Sequence, residues 1–416
     1  MGAPTPDVTP GEADEHLEEL GRLADTAGAT VVAVLIQRLD APHPRYFIGE
    51  GKAKQLRKVA EEREATVVVF DDELSPAQGK NLEDLLGVRV MDRTELILDI
   101  FATRARTNEA QLQVELAQLE YLLPRLKRMW THLSRIRGGI GLRGPGETQL
   151  ETDRRIIGRR ITDLRSKLEV VARRRATQRK RRSAEFQAAL VGYTNAGKSS
   201  LLQAMSGSDL FVEDRLFATL DPATRRVDLP MGSKVLITDT VGFIRKLPHH
   251  LVASFRATLE EAAEADVLLH VIDGSHPRWQ EQKEVVEEVL TELELDDVPA
   301  ALVFNKMDLL THDEEAALRR QVDTLYREPA VRTSAVERDG LSSLVAFLED
   351  QIRDQRPEVQ VLIPAADGES LATVYREGEV LSQEERGTTI DLRARLPQPT
   401  LGRLRQRAGI EINGAA

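Results

Sequence analysis

The sequence predicts an α/β fold spread over several domains, and three patterns predict it. Short β-branched runs alternate with helical stretches, as the crossover connections of a parallel sheet require. Two apolar seams at 4-3-4-3 spacing mark a pair of helices between a first and a second set of strands. Strands of the second set end in glycine-rich or polar turns, at the edge where α/β sheets hold ligands. At 416 residues the chain exceeds one ordinary core, so two to four domains are expected. With 41% hydrophobic but only 4% aromatic residues, their cores must be aliphatic.

Composition also excludes chemistries. The chain has no cysteine, which rules out disulfides, thiolate metal sites and a cysteine nucleophile. No run approaches the roughly 18 apolar residues of a membrane span, and the acidic, Pro-rich start lacks the apolar stretch of a secretion signal. A cytoplasmic, monomeric protein is expected. The net charge of −11 argues against a polyanion partner only on average. Between Arg125 and Arg182 stand 19 Lys and Arg against 5 Asp and Glu.

In chain order, residues 1–13 are expected to be disordered. A small parallel α/β domain follows over 14–106, with a helical pattern from Asp14 to Ala27 and strands at Val31–Ile36, Thr66–Phe70 and Val88–Met91. Its turn Ile48-Gly49-Glu50-Gly51-Lys52 reads as an ordinary βα turn, with a phosphate site at the following helix as the alternative. Over 107–183, Leu112, Leu116, Leu119, Leu123 and Leu126 form one seam; Ile157, Ile161, Leu164, Leu168 and Val171 form another, predicting an antiparallel helical hairpin. Its tip holds Arg135, Arg137, Gly138, Gly139, Gly141, Arg143, Gly144 and Gly146, a run that cannot continue a helix. Glycine lets a backbone approach a ligand closely and arginine grips phosphate with two hydrogen bonds, so RNA or another extended polyanion is the expected partner.

The chemistry lies in 184–355. The strand Phe186–Val191 runs into Gly192-Tyr193-Thr194-Asn195-Ala196-Gly197-Lys198-Ser199, a G-x-x-x-x-G-K-[ST] loop, and Ser200 continues into a helix. In such a loop backbone N–H groups converge on phosphate, Lys198 reaches the β- and γ-phosphates, and the Ser199 hydroxyl binds Mg²⁺. A second strand ends in Asp239-Thr240-Val241-Gly242, where Asp239 would hold Mg²⁺ through water and the Gly242 amide would meet the γ-phosphate. A third strand, Ala300–Phe304, delivers Asn305-Lys306-Met307-Asp308. Asp308 accepts from guanine N1–H and the 2-amino group, which adenine lacks; Asn305 fixes the loop, Lys306 packs its stem on the ring, and Ser334-Ala335 offers an amide to guanine O6. Four elements in this order specify a guanine-nucleotide site.

These residues resemble the translation-factor-like P-loop GTPases. The resemblance implies that Leu216-Phe217-Ala218-Thr219-Leu220-Asp221-Pro222-Ala223-Thr224-Arg225 is a first switch loop beside the phosphates, in which a threonine covers Mg²⁺. Thr219 is the first candidate and Thr224 the second; with Lys198 and Gly242, Thr219 completes the expected catalytic set. Where many such enzymes place a water-orienting Gln after D-x-x-G, this chain has Phe243, so turnover should be slow without a partner or an ion. Asn195 reads either as a K⁺ ligand beside the phosphates or as a residue chosen for left-handed backbone.

Together with Gly144-Pro-Gly-Glu-Thr-Gln-Leu-Glu-Thr-Asp-Arg-Arg155, Phe217-Ala-Thr-Leu-Asp221 and Asp239-Thr-Val-Gly-Phe243, the chain resembles the HflX-type ribosome-associated GTPases over roughly 20–355. That resemblance implies GTP-dependent binding to the large ribosomal subunit, a hairpin tip reaching toward the peptidyl-transferase region, and splitting of stalled ribosomes under stress, with hydrolysis driving release. A GTP-gated factor for ribosome assembly or silencing is the alternative. Ala223 departs from the family's usual threonine. The expected architecture is a P-loop GTPase domain preceded by a small parallel α/β domain with a helical hairpin and followed, over 357–416, by a small α+β domain built on the alternating Val359, Val361 and Ile363.

Overall fold

A computed structural model describes residues 1–6, 8–126, 145–179, 185–207, 215–230, 232–247, 262–337 and 339–414. The expected tip residues Arg135, Arg137, Gly138, Gly139, Gly141, Arg143 and Gly144 lie outside this set, and Gly146 falls in the helix that follows.

The N-terminal region contains helices α1 (Pro10–Thr26), α2 (Glu50–Glu62), α3 (Pro76–Leu86) and α4 (Arg93–Arg104), with a parallel pair β1 (Val67–Phe70) and β2 (Arg89–Asp92). Local chemistry sets the helix starts: Thr9 and Ser75 close capping boxes with Glu12 and Gln78, each followed by Pro in the first turn. Two expectations fail here. Residues 1–6 are not disordered: Met1 and Ala3 are buried, and the segment hydrogen-bonds on both sides, Met1 to Val69 and Asp71, Gly2 to Leu35 and Gln37. The strand expected at Val31–Ile36 is correspondingly absent, apart from a Gly2–Ile36 bridge. Gly2 takes the peptide groups of Leu35 and Gln37 that β1 would have paired, and Val31, Val32 and Val34 are left 49–57% exposed. The Gly49 amide accepts no phosphate role either, because it donates to Gln37 Oε1 at 3.0 Å.

Helices α5 (Asn108–Leu122) and α6 (Pro145–Arg179) form the hairpin. Its seam is as predicted: Leu116, Ile161 and Leu164 are buried against Leu112, Leu119, Leu123, Ile157 and Leu168. Arg160–Glu115 and Arg165–Glu120 pairs at 2.6–2.8 Å flank it.

The central domain is a six-stranded sheet in the order β4-β5-β3-β6-β7-β8, from β3 (Phe186–Gly192), β4 (Ala223–Asp228), β5 (Lys234–Asp239), β6 (Val267–Asp273), β7 (Ala300–Asn305) and β8 (Ala330–Arg332). Only β4 runs antiparallel to its neighbour. Helices α7 (Lys198–Ser206), α8 (Trp279–Glu292), α9 (His312–Leu325) and α10 (Ser342–Asp354) accompany it. A parallel strand covered on both faces must be apolar throughout, and β6, Val-Leu-Leu-His-Val-Ile-Asp, is buried along nearly its whole length. The chain order reverses at β3, whose neighbours β5 and β6 lie on opposite sides; this is the switch point where such sheets open a crevice.

The last unit runs β9 (Glu358–Pro364), α11 (Gly368–Glu377), β10 (Glu379–Arg386), β11 (Thr389–Arg395), α12 (Gln398–Arg405) and β12 (Glu411–Asn413). Its antiparallel sheet, β10-β11-β9-β12, has the split βαβ connectivity of ferredoxin-like domains. Val359, Val361 and Ile363 face its core, as their alternation predicts.

One apolar core joins the N-terminal region to the central domain. Leu96, Ile97, Ile100 and Phe101 of α4 and Val114 and Tyr121 of α5 share it with Tyr193, Leu216, Phe217, Leu220 and Phe243.

Candidate nucleotide site

The ends of β3, β5 and β7 bring the predicted motifs to one edge of the sheet. Gly197, at φ +94, turns the loop into α7; a Cβ there would lie 2.2 Å from Asn305 Nδ2, so only glycine fits. Asn305 uses that amide to hold the carbonyl of Ala196 at 2.9 Å, tying the third motif to the loop. Phe243 is hooked to the same loop by its backbone: Thr194 N donates to Phe243 O at 2.7 Å and Phe243 N to Gly192 O at 3.1 Å. Its ring is 1% exposed in the shared core, so it presents nothing polar to the phosphates.

A pocket opens between these elements. Thr194, Asn195, Gly197, Lys198, Ser199 and Ser200 line it from the loop, Phe217, Ala218 and Thr219 from the opposite segment, and Thr240 and Gly242 from the end of β5. Lys198 is buried, with Nζ donating to the carbonyls of Gly192 and Tyr193 at 3.0 and 2.9 Å. Burial pulls its pKa down to about 8, opposed in part by Asp239. A Cβ on Gly242 would meet Thr194 Cα at 2.8 Å, so the backbones of these two segments touch.

Three oxygens converge beside Lys198. Ser199 Oγ donates to Asp239 Oδ2 at 2.6 Å and lies 2.7 Å from Thr219 Oγ1. Burial pushes the Asp239 carboxyl upward against the opposing effects of Lys198, Ser199 and Thr219, and its Oδ1 is buried without a partner. One carboxylate and two hydroxyls are hard donors, and the orphaned oxygen is one that a hard cation would satisfy; the set suits Mg²⁺. Of the two candidate threonines, Thr219 lies in this cluster, whereas Thr224 sits in β4 with its hydroxyl 3.0 Å from Thr238.

The base-reading residues also assemble. Asp308 Oδ1 accepts from Ser334 Oγ at 2.6 Å, and Lys306, in left-handed backbone, pairs with Asp273 at 2.7 Å. Met307 begins a 3-10 turn that carries Asp308. Of the two predicted amides, Ser334 N is taken by the carbonyl of Gly340 at 3.0 Å.

Several of the predicted residues turn their side chains to other partners. Leu220 and Val241 are buried in the shared core, because apolar side chains at these positions have a hydrophobic alternative. The Asp221 carboxylate instead accepts from Arg106 N at 2.9 Å, Thr107 N at 3.3 Å and the Thr107 hydroxyl, where Thr107 caps α5. Tyr193 likewise turns away: its hydroxyl donates to Glu19 on α1 and accepts from Arg245 N at 3.0 Å. Glu19 also receives Arg93 and, at 3.3 Å, Arg245; Lys246 reaches Asp71 at 2.8 Å. The sequence reading missed this connection, since the partners stand more than 170 residues apart and no local pattern marks them. It also missed Arg215, which lines the pocket.

Known proteins bear the same combination. Family profiles described as GTP-binding GTPase N-terminal, GTP-binding GTPase middle region and 50S ribosome-binding GTPase match residues 14–102, 104–182 and 187–306. GTPase HflX of Escherichia coli K12 is 45% identical over 387 residues, covering 92% of this chain and 90% of the relative. The GTPase HflX proteins of Magnetococcus marinus and Caldanaerobacter subterraneus are each 45% identical, covering 98% and 92% of this chain and 94% and 88% of the relatives. With the loop, the D-x-x-G turn and the guanine reader in place, the chain is a GTP hydrolase and belongs to the GTPase HflX family.

Proposed function

We propose that this GTPase binds the large ribosomal subunit in its GTP form and separates stalled ribosomes, with hydrolysis driving release. One observation carries the reading: the first switch loop is bonded to the root of the hairpin. Asp221 holds the N-terminus of α5, and Phe217 packs edge-on to Phe101 of α4 with ring centroids 4.7 Å apart. A ligand shifts an equilibrium only by its differential affinity for two states. GTP orders Thr219 at the phosphates and GDP lacks the γ-phosphate that contact requires, so the loop's position, and with it the hairpin's, becomes nucleotide-dependent. The hairpin supplies the basic surface for RNA.

Within the site, the amides of Thr194 to Ser200 and Lys198 bind the phosphates, Gly242 meets the γ-phosphate, and Asp308, Asn305 and Ala335 select guanine. Ser199, Thr219 and Asp239 would hold Mg²⁺, which supplies charge neutralisation to the phosphates. Asn195, in left-handed backbone at the pocket wall, is the residue that would face K⁺.

The test is subunit separation in a density gradient, with intact ribosomes and GTP, a non-hydrolysable analogue, GDP or ATP. Separation with GTP and the analogue but not with GDP or ATP supports the reading. GTP-dependent binding to the large subunit without separation sinks it and favours assembly or silencing.

A further inference from the structure

Phe243 leaves the hydrolytic centre without the polar side chain that usually follows D-x-x-G, and the two basic residues described just beyond it turn elsewhere. Arg245 goes to Glu19 and Lys246 to Asp71. Lys198 contributes one positive charge from beneath the loop. Among the described residues lining the pocket, the other cation is Arg215. It lies four residues before Thr219, immediately ahead of the first switch loop, is exposed, lines the pocket, and pairs with no other described residue. A guanidinium left unpaired at an anion pocket is suited to a ligand's phosphate, because its fork matches two oxygens and its charge is never lost.

We infer that Arg215 is a catalytic arginine supplied in cis, contacting the phosphates of GTP as charge moves during hydrolysis. In this step the attacking water forms a bond to the γ-phosphorus. The bond from phosphorus to the β–γ bridging oxygen breaks with its electron pair retained on GDP, and the water's proton leaves with the phosphate product. Negative charge grows on the bridging and β-phosphate oxygens, where a guanidinium from the residue preceding the first switch loop stabilises the transition state more than the ground state. The inference rests on the hydrolase activity and is independent of ribosome binding. It also differs from an ion at Asn195, which would place the same charge outside the protein chain.

The experiment measures single-turnover GTP hydrolysis by the full chain without ribosomes, in Na⁺ and in K⁺ buffers, for wild type, Arg215→Ala and Arg215→Lys. Affinity for fluorescent GDP and for a non-hydrolysable GTP analogue, and capture of GDP with aluminium fluoride, are read on the same samples. Arg215→Ala is expected to lose hydrolysis rate by about a hundredfold in both buffers. It should keep GDP affinity and fail to capture aluminium fluoride, while Arg215→Lys recovers part of the rate. An unchanged rate in Arg215→Ala, or a loss of rate matched by an equal loss of nucleotide affinity with fluoride capture intact, overturns it. So does full activity of Arg215→Ala in K⁺ alone, which would assign the charge to the ion.

Discussion

The hydroxyl of Tyr193, in the phosphate-binding loop, donates to the carboxylate of Glu19 on α1, far away in sequence. The loop is therefore fastened to the N-terminal region as well as to its own sheet. Glu19 serves Tyr193, Arg93 and Arg245 at once, and Arg93 is 2% exposed. Arg93 keeps its second ion pair with Asp71 at 2.8 Å, so Glu19→Ala removes charged hydrogen bonds without stranding the guanidinium and should cost about 2 kcal/mol in denaturant unfolding. Tyr193→Phe removes two hydrogen bonds, to Glu19 and from Arg245 N, and should cost about 2 kcal/mol. Equal, negligible costs in both would show that the network is not a junction.

Nucleotide affinity should fall with alkaline pH through Lys198. Its pKa is about 8 in the empty site, and bound phosphates raise it, so binding takes up a proton above about pH 8. Affinity is complete below that pH and declines above it, by up to about tenfold per unit. In the empty protein the sign is reversed: a cation with a depressed pKa costs stability at low pH, and the cost fades as pH rises from about 8 toward 10.5. Calorimetry of GDP binding at pH 8.5 in two buffers of different ionisation enthalpy should show net proton uptake. No uptake would contradict the free-site pKa.

Guanine selectivity should reside in Asp308. Asp308→Asn replaces an acceptor pair with a donor and an acceptor, which opposes guanine's N1–H and 2-amino group and suits the 2-oxo group of xanthine. GTP affinity should drop by about 10⁴ while XTP gains, read by competition against fluorescent GDP. Retained preference for GTP would move base reading elsewhere in the loop.

These particular residues show what a sequence can and cannot disclose. The phosphate loop, the D-x-x-G turn and the Asn305–Asp308 segment were legible because each is a short backbone geometry that demands given residue types at fixed spacing. The hairpin was legible because its seam repeats. The Asp221 carboxylate bonds to Arg106 and Thr107 just ahead of α5, 115 and 114 residues earlier, and nothing local announces that contact. The Val31–Ile36 segment has the composition of a strand, yet its end pairs with Gly2 through Leu35 and the following Gln37, a contact between distant segments that propensity does not register. The Ser334 amide bonds to the carbonyl of Gly340, a fold-back that no local pattern marks.

The central claim is that the first switch loop transmits nucleotide state to the hairpin root. It is tested most directly by the large-subunit affinity of wild type and Asp221→Ala, each with a non-hydrolysable GTP analogue and with GDP, alongside nucleotide affinity itself. The account predicts that the substitution leaves nucleotide affinity unchanged and brings the two subunit affinities together. A wild-type ratio between the GTP and GDP forms in Asp221→Ala would contradict it.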